Sequence, residues 1–124
     1  MKIKIPFKTP SVNHLYYHMR NMKVKTKEAR ELEKQIIEIC EKKKHKFTQD
    51  KRLKVSVWIH ENWYFKNGKP CTKDIANREK FLIDAIFKGL KLDDKMIFEN
   101  TMTKVDNSME EFALVKIEEL PYEI

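Results

Sequence analysis

Residues 53–60 constrain the fold of this chain most strongly, because branched aliphatic residues occupy every second position of the segment. Such alternation is typical of a β-strand with one buried face. A second alternation, over residues 2–7, predicts another half-buried strand that ends at the first prolines. Residues 96–105 and 112–120 predict two further strands, with a turn at residues 107–108 between them.

Two segments carry apolar residues at helical spacing. Thr26 can cap the first helix, whose apolar stripe runs from Ala29 to Cys40. A second helix is predicted over residues 74–88, and Gly89 is expected to be the left-handed residue that ends it. These two helices would separate the first three predicted strands along the chain.

Two stretches between these elements are less regular. Residues 8–25 show no clean period, so we expect a polar and aromatic loop there. Residues 63–65 are expected to extend the strand at 53–60, before the turn dipeptide at 67–68. The predicted order β-α-β-α-β-β indicates one α+β domain over residues 1–124, in which two helices pack on a mixed sheet.

The composition excludes several functional classes. Two glycines in 124 residues exclude glycine-rich phosphate loops and dinucleotide fingerprints. No apolar run approaches the roughly 20 residues of a membrane-spanning helix, and the charged N-terminus predicts no signal peptide. Cys40 and Cys71 have neither disulfide-like nor zinc-ligand spacing, which favours a reducing compartment. The net charge of +7 permits a polyanionic partner without requiring one.

The stretch that bears most on function begins at Asp74, at the predicted start of the second helix. Lys80 follows on that helix, and Asp93 and Asp94 form a pair just beyond it. Spacing alone favours a plain structural explanation for these residues. Asp74 would cap the helix, Lys80 and Asp84 would form a surface pair, and the two later aspartates would form a turn.

Three segments resemble the RusA family of Holliday-junction resolvases, which are small Mg²⁺-dependent endonucleases found in phages and prophages. Residues 9–17 (TPSVNHLYY) resemble the family's Pro-Ser-x-Asn-x-x-Tyr motif. Residues 73–80 (KDIANREK) resemble its basic-Asp-x-Asp-Asn-x-x-Lys run, and residues 89–94 (GLKLDD) resemble its Gly-hydrophobic-x-Leu/Ile-Asp-Asp ending. Their order and separation also agree, so the resemblance spans almost the whole chain.

The resemblance implies a role for each matching residue of the acidic stretch. Asp74 matches the first metal-binding aspartate, and Asp94, with Asp93 beside it, matches the later acidic ligand. Lys80 matches the lysine near the scissile phosphate, and Asn77 matches an asparagine that we assign to DNA binding. Carboxylate oxygens suit Mg²⁺, with Mn²⁺ as a substitute. No small-molecule cofactor is expected.

Further DNA contacts are predicted in two polar loops. Lysines of the connector at 66–73 can position phosphates, although a solvated loop explains them equally well. Aromatic residues of the first loop can stack on unpaired bases, although at least one tyrosine is expected to pack on the sheet instead. Trp58 and Trp63 are expected in the core or in a dimer interface. The predicted contacts are Asn13, Tyr16, Tyr17, Arg20, Lys23, Lys66, Lys69 and Lys73.

One position departs from the family pattern. Ala76 stands where the family has its second aspartate, so this side chain can neither bind a cation nor accept a hydrogen bond. The substitution predicts weaker Mg²⁺ binding and an impaired catalyst that still binds DNA. An engineered change fits better than natural drift, because Asp74, Lys80 and Asp94 are all retained.

We therefore expect a symmetric homodimer that nicks two matching strands of a four-way DNA junction, in the cytoplasm of a bacterial or phage-infected cell. Two other functions remain open. A non-catalytic protein that binds branched DNA would keep the basic loops and lose turnover through Ala76. An unrelated small module that binds RNA or a protein would show no preference for junctions over linear duplex.

Overall fold

The computed structural model describes residues 1–9, 15–71 and 76–121. Two helices pack on one face of a four-stranded sheet, and a separate two-stranded hairpin precedes the first helix. The elements in chain order are β1 (Lys2–Ile5), β2 (Tyr16–Met19), β3 (Met22–Lys25), α1 (Lys27–Glu41), β4 (Leu53–Glu61), α2 (Ala76–Leu90), β5 (Ile97–Asp106) and β6 (Phe112–Glu119). Among the described residues, neither helix is long and apolar enough to cross a membrane.

The strand order in the main sheet is β1-β6-β4-β5. β4 lies inside the sheet, antiparallel to β6 and parallel to β5, so the last two strands of the chain are not neighbours. β1 closes the other edge, antiparallel to β6. The mixed sheet and the order of its strands and helices confirm the predicted α+β fold.

The alternation that predicted β4 reflects a sheet with two different faces. Leu53, Val55, Val57 and Ile59 point to the helices and are at most 2% exposed. Burying each such side chain stabilises the fold by roughly 1.5–3 kcal/mol. The opposite face of the strand carries Trp58, which is half-buried. We call this second side of the sheet the uncovered face.

Helix α1 begins as its sequence predicts. The Thr26 side chain accepts a hydrogen bond of 3.1 Å from the backbone N–H of Ala29, which satisfies one donor of the first turn. The stripe that faces the core includes Ala29, Ile36 and Cys40, all fully buried. Burial raises the pKa of the Cys40 thiol to about 11, so this cysteine packs as a small neutral residue.

The predicted end of the second helix is wrong by two residues. Gly89 lies inside α2, and Lys91 takes the left-handed conformation with φ 59°. The backbone N–H of Leu92 donates to the carbonyl of Phe87 at 2.9 Å, which completes a Schellman ending around Lys91. Gly89 serves another purpose, because a Cβ there would lie 2.6 Å from the Cβ of Cys40 on α1.

Two other expectations also need correction. Residues 8–25 are not all loop, because β2 and β3 form a hairpin whose turn places Arg20 and Asn21 at positive φ. These short strands bury little on either face, so they leave no alternation in the sequence. Residues 63–65 do not extend β4. Trp63 leaves the strand direction when its backbone N–H donates to the Asp106 carboxylate at 3.0 Å.

Candidate active site

Helix α2 carries charged residues along one face. Positions 76, 80 and 84 follow one another at intervals of four residues, so they lie on successive turns of that face. Lys80 is exposed, and solvent also reaches Asp84. The helix thus presents an ammonium group and then a carboxylate, roughly 6 Å apart along its axis.

Asp93 and Asp94 follow the end of α2 at the start of a short 3-10 turn, Asp94–Met96. The Asp93 carboxylate accepts a hydrogen bond of 3.0 Å from the backbone N–H of Lys95, and the Lys95 ammonium lies 3.7 Å from its other oxygen. These contacts, the backbone hydrogen bond first, lower the pKa of Asp93. Asp93 therefore stays ionised while it shapes the turn that presents Asp94.

Asp84 and Asp94 share an open cleft of about 660 Å³. Partial burial and then the negative charge of Asp94 raise the pKa of Asp84, whereas the charge of Lys80 opposes this rise. Lysines 88, 91 and 95 line the same cleft. We call this feature the acidic cleft, because three aspartates, Asp84, Asp93 and Asp94, line it together with these lysines.

Sequence reasoning treated Asp84 only as the surface partner of Lys80. The sequence does indicate Asp84 as a site residue, since it lies one turn after Lys80 and on the same helical face. Only the fold shows that this face turns towards Asp94.

The donor chemistry of the acidic cleft fits a hard divalent cation, because ionised carboxylates collect there. Within residues 1–9, 15–71 and 76–121, no three histidine, cysteine or acidic side chains are placed to hold a metal ion. Asp74 lies outside these ranges. The role of Asp74 as a ligand therefore stays a prediction from the sequence.

The other end of α2 is anchored by a buried ion pair. Arg78, in the first turn of the helix, donates from Nη1 to the carboxylate of Glu61, the last residue of β4. Arg78 is 2% exposed and Glu61 is fully buried. The Lys8 ammonium lies 3.9 Å from the second oxygen of Glu61, and the guanidinium carbon of Arg78 lies 5.5 Å from the centre of the Trp63 ring. The pair fixes the first turn of α2 against the sheet.

Sequence reasoning missed this ion pair, although the position of Glu61 in β4 indicates it. Glu61 continues the buried positions 53, 55, 57 and 59 of β4 by one more step. A carboxylate at a position that faces the core requires a buried partner, since an isolated buried charge is very costly.

The β2–β3 hairpin lies beside the acidic cleft. Glu33 of α1 binds Lys25, at the end of β3, and lies 3.4 Å from the ammonium of Lys88 at the cleft rim. Although partial burial opposes the effect, these two lysines lower the pKa of Glu33. The network joins the hairpin to both helices.

The hairpin displays most of the contacts predicted for the first loop. Tyr16 is partly buried against the core, as expected of at least one tyrosine, and the Lys23 ammonium lies 4.2 Å from its ring centre. Tyr17 is 40% exposed, and Arg20 and Lys23 are also exposed. These side chains are accessible to a large ligand.

The second predicted loop lies at the anchored end of α2. Lys66 and Lys69 are exposed there, and the backbone N–H of Lys69 donates to the Asn67 side chain at 3.0 Å. Trp63 is 3% exposed and belongs to the core. The sequence predicted either the core or a dimer interface for it.

The remaining predicted site residues cannot be placed as side chains. Asn13, Lys73 and Asp74 lie outside the described residues. Ala76 and Asn77 have helical backbone in the first turn of α2, and the structure describes nothing more of them.

Comparison with known families identifies the chain. A family model described as Endodeoxyribonuclease RusA matches residues 6–118, a range that contains the hairpin, the anchor and the acidic cleft. A search of curated proteins found no match. RusA-family resolvases are generally dependent on divalent metal ions. The chain therefore belongs to the RusA family of endodeoxyribonucleases, which resolve Holliday junctions.

Proposed function

We propose that this protein is a Mg²⁺-dependent endonuclease of four-way DNA junctions that acts as a homodimer in the cytoplasm, and that Ala76 impairs its catalysis. The observation that carries the proposal is the acidic cleft. There Asp94 approaches the face of α2 that bears position 76, Lys80 and Asp84. A nuclease needs carboxylates for a cation and lysines for phosphate in one place, and this cleft supplies both.

Asp74 and Asp94, with Asp93 next to Asp94, are the residues that would hold the cation. Bound there, Mg²⁺ would stabilise the charge that develops on the phosphate during hydrolysis. Lys80 adds a positive charge on the same face, where its ammonium can bind a phosphate oxygen. Lys95 holds Asp93 in place through the short turn, so the orientation of the turn does not depend on the metal.

The proposed homodimer fits the symmetry of the substrate. A four-way junction has near two-fold symmetry, and a C₂ dimer provides two equivalent sites. The uncovered face supplies a surface for it, because half-buried Trp58 and Leu114 lie there beside a His60–Phe112 stack with ring centres 4.1 Å apart. We expect Trp58→Glu to convert the dimer into a monomer in analytical ultracentrifugation. A parent protein that sediments as a monomer at micromolar concentration would contradict this part of the proposal.

The exposed hairpin and the loop at 62–71 are the proposed DNA contacts. Tyr17, Arg20 and Lys23 are exposed on the hairpin, and Lys66 and Lys69 are exposed on the loop that precedes α2. Lysines and arginines on such loops fix the register of a nucleic acid through its phosphates.

A binding competition tests the substrate class with the protein as it is. A labelled four-way junction is bound in moderate salt and then challenged with unlabelled junction or with linear duplex of equal charge. We expect the junction to compete at much lower concentration, because general attraction to phosphate weakens as salt rises. Equal competition by the duplex would favour an unrelated nucleic-acid-binding module.

A further inference from the structure

A lysine-lined groove of about 700 Å³ runs across the C-terminal ends of α1 and α2. Lys43, Lys44, His45 and Lys91 line it, and Glu41 is the carboxylate at its edge. We propose that this basic groove binds the phosphate backbone of a DNA arm that leaves the acidic cleft. The inference rests on the proposed function and adds a second DNA-binding surface to it.

The groove is held together by contacts between the segment after α1 and the end of α2. The backbone N–H of Phe47 donates to Nδ1 of His45 at 3.1 Å, so the ring proton lies on Nε2. Nε2 then donates to the carbonyl of Leu90 at 2.9 Å. The side-chain amide of Gln49 reaches the carbonyl of Lys91 at 3.3 Å. The backbone N–H of Lys43 also donates to the carbonyl of Cys40 at 2.9 Å, so hydrogen bonds fix the backbone on both sides of Lys44.

The charges of the groove are available to a ligand. Within the described parts of the chain, five exposed lysines at this end have no carboxylate within 4.0 Å. Lys88 and Lys95, by contrast, each have an acidic partner. The unpaired lysines are Lys42, Lys43, Lys44, Lys46 and Lys91.

The helix dipole accounts for only part of this cluster. It favours cations only within the last turn of a helix. Lys42, Lys43 and Lys91 adjoin the helix ends, whereas Lys44 and Lys46 lie beyond the last turn of α1. Concentrated positive charge without carboxylate partners repels itself, and a polyanion relieves that repulsion.

The position of the groove indicates which polyanion it serves. Lys91 lines both the basic groove and the acidic cleft, so the two surfaces are continuous. A DNA strand whose scissile phosphate lies at the cleft therefore meets the groove lysines as it continues along its arm. Duplex DNA carries a phosphate charge about every 1.7 Å of its axis, which matches a lysine row better than a single small anion does.

The test compares two variants with the same loss of charge. The groove variant carries Lys43→Gln and Lys44→Gln in the groove lining and Lys46→Gln next to it in sequence, and none of the three lines the acidic cleft. The control variant carries Lys27→Gln, Arg30→Gln and Lys34→Gln on an exposed part of α1, where Glu33 and Glu38 accompany the basic residues. Junction Kd is measured over a salt series, with junctions of long arms and with junctions whose arms end near the crossover.

We expect the groove variant to weaken binding of the long-armed junction by about 10-fold or more and to reduce the salt slope by about 2. The short-armed junction should lose much less, and the control variant should change either Kd by less than about 3-fold. Equal weakening by both variants, or an unchanged Kd in the groove variant, overturns the inference. If the triple variant does not fold, Lys44→Gln alone should still reduce the salt slope for long arms, and an unchanged slope overturns the inference equally.

The two proposals fail in different ways. If the parent protein binds duplex as well as it binds junctions, the proposed function fails. If the parent prefers junctions and the groove variant keeps the full affinity for long arms, the basic groove is not a DNA contact and the proposed function stands.

Discussion

The two ends of α2 use the same kinds of charged residue for different purposes. At the first turn, Arg78 and Glu61 are 2% and 0% exposed and pair with each other. Beyond the last turn, the side chains of Lys95 and Asp93 are 75% and 48% exposed. Burial commits the first pair to holding the helix in position. Exposure leaves the second end with charges that a cation or a phosphate can still reach.

The largest stability effect should come from breaking the buried pair. Glu61→Gln leaves the Arg78 guanidinium buried without its counter-charge, so we expect a loss of about 3–5 kcal/mol in the free energy of unfolding. The matched control is Glu110→Gln, which removes an exposed pair with Lys4 and should cost about 0–1 kcal/mol. Urea denaturation measures both.

A double variant separates the charge from the contact. Glu61→Leu combined with Arg78→Leu removes both buried charges, and we expect it to recover most of the stability that Glu61→Gln loses. If Glu61→Gln lowers the free energy of unfolding no more than Glu110→Gln does, the buried pair does not hold the first turn of α2 in position.

A second prediction concerns the contact that holds the acidic end of α2 against α1. Gly89→Ala would place a Cβ 2.6 Å from the Cβ of Cys40 and 2.8 Å from the carbonyl oxygen of Ile37. We expect a loss of about 1–3 kcal/mol from this overpacking, although alanine favours a helix more than glycine does. Gln35→Ala, at an exposed position of α1, should change stability by less than about 0.5 kcal/mol. A stabilised Gly89→Ala protein would show that the helices can separate freely.

The smallest expected change in stability comes from Asp84 in the acidic cleft, and it depends on pH. Burial and then the charge of Asp94 raise the pKa of Asp84 above its ordinary value of 3.8. Ionised Asp84 therefore destabilises the fold above that raised pKa, and the penalty disappears as the pH falls through it. Without divalent ions, Asp84→Asn should raise Tm slightly at neutral pH and leave it unchanged at about pH 3. An equal gain at both pH values would rule out an electrostatic cause.

Local patterns allowed the main elements to be predicted, because each pattern has a local physical cause. The alternation in β4 and the Thr26 cap of α1 both depend on residues close together in sequence. The pairing of β4 with β5 on one side and β6 on the other depends on contacts far apart in the chain. For the same reason, Gly89 was read as a local helix ending, whereas its small size serves a contact with the other helix.

The candidate site could be predicted only in part. Asp94 and Lys80 were predicted from their match to the motifs of the family, and the structure adds Asp84 to their surroundings. The pairing of Glu61 with Arg78 joins β4 to α2 across 17 positions, and no local rule gives their partner. The position of Asp74 relative to Asp94 stays a prediction, since Asp74 lies outside the described residues.

The most direct test of the central claim is the rate of four-way junction cleavage by the Ala76 protein and by Ala76→Asp, each with and without Mg²⁺. A carboxylate at position 76 would restore the ligand that the family pattern has there, so we expect cleavage to become faster by about 100-fold or more, only with Mg²⁺. Asp94→Asn in the Ala76→Asp protein should abolish the gain. If the Ala76 protein already cleaves as fast as Ala76→Asp, position 76 is not a ligand position and the account of the site is wrong.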